Sequence, residues 1–203
     1  MKKKILVIFA LLTVALLCLT ACNSVSAKDF EKIGEMLHKD YSEIKVLVST
    51  KTANATLEGS FTLKHNADGS TTITYKYDRI NTFDSDGNLT GSTGEFIVTE
   101  SGEAVVRNGE VVLGDTTVDL PDELNISGFN FKQAFFKNAV IQNARFEADV
   151  SDPQNFTGNA TLVCSKMHIV VISNTVDNVL NRIDLTYVSD KDAEVSIQYV
   201  FTK

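Results

Sequence analysis

The stretch Thr71-Thr72-Ile73-Thr74-Tyr75-Lys76-Tyr77-Asp78 decides the fold class. Ile73, Tyr75 and Tyr77 take every second position, and Thr72, Thr74, Lys76 and Asp78 fill the places between. A period of two sends successive side chains to opposite faces, so this strand has one apolar and one wet face, the mark of an antiparallel sheet. The alternation continues on either side. Ile44, Val46 and Val48 form one set, and Leu57, Phe61 and Leu63 another, with Gly59 on the same face. Turn signals separate the sets at Asn66-Ala67-Asp68-Gly69-Ser70, Asp84-Ser85-Asp86-Gly87-Asn88 and Asn108-Gly109. Their Asp-Gly and Asn-Gly pairs supply the positive φ angles of tight hairpins. Residues 94–113 read as shorter strands. The close is a hairpin: Ile183, Leu185 and Tyr187, a turn at Ser189-Asp190-Lys191-Asp192, then Val195, Ile197, Tyr199 and Phe201.

Helical spacing replaces this pattern in two places. Phe30, Ile33, Leu37 and Tyr41 share a stripe, opposite Glu31, Lys32, Glu35 and Lys39, and Ser26 with Asp29 can cap the start. A second, inserted helix is expected over 131–137, where Asn130 can cap and Gln133 can reach back. After it, Val140, Ala144, Phe146, Ala148 and Val150 alternate with Asn143, Arg145, Glu147 and Asp149. A turn at Asp152-Pro153-Gln154-Asn155 then precedes a strand over 157–164. Residues 167–172, apolar apart from His168, read either as a doubly buried strand or as a short helix. The expected fold is mainly β (α+β). It is one domain over 28–203, built on a large curved antiparallel sheet or half-barrel, with an N-terminal amphipathic helix and one inserted helix.

The first residues follow a different logic. Lys2, Lys3 and Lys4 precede an apolar run from Ile5 to Leu19, broken only by Thr13. This is the layout of a secretory signal, and it is short against the ~20 apolar residues of a membrane span. Leu19-Thr20-Ala21-Cys22 then resembles the bacterial lipobox. The resemblance implies a signal peptide over 1–21 cleaved after Ala21, a diacylglyceryl group on Cys22, and a domain held outside the cytoplasm at the cell envelope. Two acyl chains give a stable anchor, since each buried CH₂ contributes ~0.8 kcal/mol. Residues 22–27 read as a short tether. Of the three cysteines, Cys18 leaves with the signal and Cys22 carries lipid, so Cys164 stays alone as a buried small hydrophobe.

Charge narrows the function classes. Removing residues 1–21 takes three of the 19 basic residues, and the remainder sums to 16 − 26 = −10. That balance excludes a nucleic-acid binder that tracks phosphates. No Gly-x-Ser-x-Gly elbow, phosphate-cradling loop or spaced metal-ligand set occurs, so no catalytic residue, metal or cofactor is expected. His38, His65 and His168 lie in separate elements. Asp84–Glu95 places oxygens at positions 1, 3, 5 and 12 of a calcium loop, but Leu89 stands where the sharp-turn glycine belongs. Hairpin chemistry accounts for the same residues.

An anchored domain that opens with an amphipathic helix and continues in long alternating strands resembles the LolA/LolB-like lipoprotein-carrier superfamily. The layout carrying the resemblance is the helix, then Ser42–Thr50, Leu57-Glu58-Gly59-Ser60-Phe61, and the closing 183–187 and 195–201 strands. It implies a cavity for acyl chains, lined or lidded by Phe129, Phe131, Phe135 and Phe136, and a lipid or other apolar ligand. A Phe-rich segment that simply packs on the sheet is the plainer alternative. A surface module binding a protein or glycan, with no apolar cavity, is the competing function.

Overall fold

The computed structural model describes residues 25–53, 55–82, 98–107, 110–113, 116–119 and 124–203. Residues 1–24 with the lipobox, the Asp84–Glu95 loop and the Asn108-Gly109 turn lie outside them. The chain opens with helix α1 (Ala27–Leu37). Six strands follow: β1 (Glu43–Lys51), β2 (Ala55–His65), β3 (Thr71–Thr82), β4 (Val98–Arg107), β5 (Glu110–Leu113) and β6 (Thr116–Asp119). Two 3₁₀ turns (Ile126–Gly128 and Gln133–Phe135) lead into β7 (Phe136–Gln142) and β8 (Arg145–Val150). A short helix α2 (Pro153–Thr157) precedes β9 (Cys164–Asn174), β10 (Val179–Ser189) and β11 (Glu194–Thr202).

All eleven strands join one open antiparallel sheet in the order β6-β5-β4-β3-β2-β1-β11-β10-β9-β8-β7. The first and last strands pair in its interior, Glu43 opposite Thr202 through Lys51 opposite Glu194. The alternation read from the sequence becomes rows across the sheet. Phe146, Val171, Ile183, Tyr199, Val46 and Phe61 lie side by side on the inner face, and all are buried. On the outer face the neighbouring row reads Glu147, Val170, Asp184, Gln198, Leu47, Ser60 and Lys76, with Gln198 Nε2 donating to Asp184 Oδ1 at 2.9 Å. The β2–β3 turn sits at the expected Asn66–Ser70, where Gly69 takes φ 81°.

Helix α1 forms on the stripe but ends at Leu37, short of the Tyr41 that the spacing included, and covers the inner face with Phe30, Ile33, Met36 and Leu37. Each such side chain stabilises by roughly 1.5–3 kcal/mol when fully buried. The Ser26 amide and hydroxyl both donate to Asp29 Oδ2, at 2.8 and 2.7 Å. Those bonds, the hydroxyl's first, hold the Asp29 carboxyl below its ordinary range. Tyr41 fastens the other end of the helix to the sheet. Its buried hydroxyl donates to the Met36 carbonyl at 2.7 Å and accepts from the Leu180 amide at 2.9 Å. Among the described residues no helix is long and apolar enough to cross a membrane.

The inserted helix expected over 131–137 does not form. Residues 133–135 make a single 3₁₀ turn, and β7 begins at Phe136. The physical reason is a bulge at Asn138, whose φ is 52°: Lys137 pairs with Asp149, but the next outward pair is Val140 with Glu147. Two outward residues three apart imitate helical spacing. Residues 140–150, expected as one strand, are a hairpin that turns at Asn143 (φ 57°). The short helix lies instead at α2, where a turn was expected. Asp152 caps it by accepting from the Asn155 amide, Pro153 starts it, and Gly158 ends it at φ 73°. Residues 158–163, expected as strand, are loop. The ambiguous 167–172 run is strand β9, with Val170 buried on the outer face while Met167, Ile169 and Val171 are buried on the inner.

Candidate functional site

A cavity of about 300 Å³ opens on the inner face at the end of the sheet near the β10–β11 turn. Its floor is Met167, Leu185, Ile197 and Tyr199, which period two delivers from β9, β10 and β11 to one face. Phe129 forms one wall, stacked on Phe156 with centroids 4.9 Å apart and edge-on to Tyr199 at 5.6 Å. The loop after α2 forms the other wall with Thr157, Asn159, Thr161 and Leu162. Asn159 Oδ1 accepts from the Thr161 amide and hydroxyl at 2.9 and 2.8 Å, which curls this loop. Gln154 Nε2 donates to the Leu162 carbonyl at 3.1 Å, and the Asp190 amide donates to the Val163 carbonyl at 3.2 Å. The second bond ties the loop to the β10–β11 turn, where Ser189 and Asp190 stand at the mouth.

Two glycines hold the back of this wall. A Cβ on Gly128 would lie 2.6 Å from the Thr157 carbonyl oxygen, and one on Gly158 would lie 3.1 Å from the Gly128 oxygen. The turn at 126–128 and the end of α2 therefore touch backbone to backbone, and the Asn130 amide reaches the Phe156 carbonyl at 2.8 Å. A second hollow of about 260 Å³ lies on the same face beside the end of α1, with Tyr41, Ile44, Leu63 and Phe201 in its lining. His38 and His65 also belong to that lining, and His65 Nδ1 shares a hydrogen bond with Thr71 Oγ1 at 2.9 Å.

Of the four phenylalanines singled out from the sequence, Phe129 faces the larger cavity. Phe131 and Phe136 are buried in an aromatic cluster with Phe30, Phe146 and Phe156. Phe135 is half-buried and packs against the core's edge. Sequence reasoning missed the floor residues as a site, because they are ordinary inward positions of regular strands. It missed Gly128 and Gly158 too, although Asp-Pro followed by glycine five residues after the proline was a legible short-helix signal.

The third histidine, His168, has acidic company on the outer face. Its Nδ1 lies 2.9 Å from Asp149 Oδ1 and its Nε2 lies 3.3 Å from Glu147 Oε1. Arg145 pairs with Glu147 at 2.8 Å, and Asn138 donates to Asp149 at 2.7 Å. The hydrogen bond from His168, then that from Asn138, holds Asp149 below the usual carboxylate range, and Arg145 does the same for Glu147. The two carboxylates flank opposite ring nitrogens on an exposed sheet face, so they do not converge on one point. This is a polar ladder across β8 and β9 rather than a dyad in a cleft. The half-buried Cys164 thiol is pushed up by burial, which lowers its thiolate fraction and its reactivity.

No protein-family model matches the chain, and no curated protein matches it. Among solved structures, the dehydratase domain from the CurF module of curacin polyketide synthase aligns over 86% of this chain and 80% of its own, at 7% identity and a TM-score of 0.22. A likeness at that level carries no argument about fold or function.

Proposed function

We propose that this chain is a lipid-anchored extracytoplasmic binding protein that receives the apolar part of a small ligand in the cavity beside Phe129. The observation that carries this reading is the hollow itself, which opens over Met167, Leu185, Ile197 and Tyr199 with Phe129 and Leu162 on its walls. Its volume of about 300 Å³ is the lower edge of small-molecule sites. One short acyl or ring group fits that space, and a bundle of acyl chains does not. The anchor reading rests on Leu19-Thr20-Ala21-Cys22 behind its cationic and apolar segments. A helix laid on one face of an antiparallel sheet, with a hollow on that face, supports the lipoprotein-carrier resemblance in layout, and with it a curved sheet. Asp190 is the one charged residue in the cavity's lining, so the ligand's head is neutral or cationic.

The test is saturable uptake of a neutral amphiphile. Monooctanoylglycerol displaces a neutral fluorescent probe such as Nile red from the wild-type protein at one site. In Leu162→Trp, which fills the mouth from the loop side, that site is lost while the fold is retained. Wild-type uptake in the Leu162→Trp variant overturns the assignment of this cavity. Native mass spectra of the protein freshly released from membranes report any ligand it carries.

A further inference from the structure

The larger cavity and the hollow beside α1 open on the same inner face, and strand register shows what lies between them. Val48 opposite Ile197, Val46 opposite Tyr199 and Ile44 opposite Phe201 are successive inward pairs of β1 and β11. Ile197 and Tyr199 line the larger cavity, and Ile44 and Phe201 line the smaller hollow. Tyr199 and Val46, the pair in the middle, are fully buried. From Ile197 to Phe201 is four residues of strand, or about 14 Å.

The segment 124–129 crosses over this middle row. Its Asn125 belongs to both linings, Leu124 and Ile126 belong to the smaller hollow, and Phe129 belongs to the larger cavity. The Phe129 ring meets the Tyr199 ring edge-on at 5.6 Å, and Phe156 backs it at 4.9 Å. The contact of Phe129 with Tyr199 thus stands between spaces of about 300 and 260 Å³. An apolar chain that enters past Ser189 and Asp190 runs along β11 towards this contact.

We infer that Phe129 is a specificity-determining residue: with Tyr199 it closes the inner end of the cavity and sets the longest apolar chain that the protein accepts. This rests on the binding reading above, and it gives the ligand a class, a neutral single-chain amphiphile of medium chain length. Each methylene that passes into apolar surroundings tightens binding by about fourfold, the equivalent of ~0.8 kcal/mol. A methylene that cannot pass the partition adds nothing.

The test uses the full-length protein and a series of 1-monoacylglycerols, from octanoyl through decanoyl and dodecanoyl to tetradecanoyl. Each displaces Nile red below its own aggregation concentration. In wild type the affinity climbs through the shorter members and then levels off. In Phe129→Ala the two spaces join beneath Asn125 and the climb continues, so that tetradecanoylglycerol binds more than about tenfold tighter than it binds wild type, a gain that two further methylenes supply. Adding Ile44→Trp, which fills the smaller hollow, returns the plateau to its wild-type length. Far-UV circular dichroism identifies the folded variants, and Phe129→Leu, a milder truncation, moves the plateau in the same direction where Phe129→Ala does not fold. A wild-type affinity that climbs without levelling overturns the inference. So does an unchanged plateau in the folded Phe129 variants, or an extended one that Ile44→Trp leaves extended. A wild-type protein that takes up no member of the series overturns the binding reading instead, which keeps the two failures apart.

Discussion

Replacing Tyr41 with Phe tests the joint between helix and sheet. The ring keeps its place against Phe201, with centroids 4.8 Å apart, so the apolar burial is nearly unchanged. Two hydrogen bonds are lost, and they are not equivalent. The Met36 carbonyl retains the Lys39 amide at 3.3 Å, so it keeps a donor. The Leu180 amide loses the hydroxyl to which it donates at 2.9 Å. It sits in a residue 1% exposed, next to a register shift where the β9–β10 ladder slips between Leu180 and Arg182. A buried donor left without a partner costs about 1–3 kcal/mol. The expected loss is therefore about 2 kcal/mol, or roughly 4–8 °C in Tm for a chain of this size.

Urea denaturation followed by far-UV circular dichroism should show a lower midpoint with unchanged slope, and hydrogen exchange should show selective loss of protection at the Leu180 amide. Burial raises the Tyr41 hydroxyl above its ordinary value of 10.0. Above that pH the unfolded chain gives up its proton first, so this group's contribution is full below pH 10 and lost as pH rises through the folded value. The gap between wild type and Tyr41→Phe should accordingly narrow in strong alkali. A midpoint shift of less than about 0.5 kcal/mol, with Leu180 still protected, refutes the reasoning, because it means the amide has another partner.

Phe156, fully buried where Phe129, Phe131 and Phe136 meet, should cost about 3–5 kcal/mol as Phe156→Ala, measured by denaturant titration. Gly128→Ala should be worse than its small size suggests. Its Cβ meets the Thr157 carbonyl oxygen at 2.6 Å, so the loop after α2 must move; thermal melts and Nile red affinity should fall together. Gly158→Ala, strained at φ 73°, should lose about 1 kcal/mol in the same melts. Carboxyl carbon NMR of His168→Ala should find Asp149 titrating at higher pH than in wild type, since His168 supplies its largest stabilising bond. Glu147, held first by Arg145, should move less.

The strands that position the cavity were legible wherever alternation ran unbroken. Ile73, Tyr75 and Tyr77 sit in β3, and the 183–201 hairpin supplies three of the four floor residues. Helix α1 was legible as well, since its stripe and its Ser26–Asp29 cap agree. The segment 131–142 was misread because one bulged residue, Asn138, moves the pattern out of phase and lets Lys137 and Val140, three apart on one face, pass for helical neighbours. The cavity itself is a relation between segments distant in sequence: Phe129 on one wall, Leu162 on the other, Leu185 and Ile197 beneath. Periodicity reports which face a side chain takes, and it carries no information about how closely the facing segment approaches. The contact of Gly128 with Gly158 sets that gap, and in a sequence a loop glycine marks a turn as readily as a close approach of two backbones.

The pairing of β1 with β11 bears on how the molecule is made. The middle of the sheet is closed by residues 43–51 and 194–202, so the N-terminal half of the chain lacks the strand that completes its inner rows until the last strand is synthesised. Such non-local closure slows folding relative to folds built from local contacts. The order of the strands thus postpones the completed sheet until residues 194–202 are available to pair with β1.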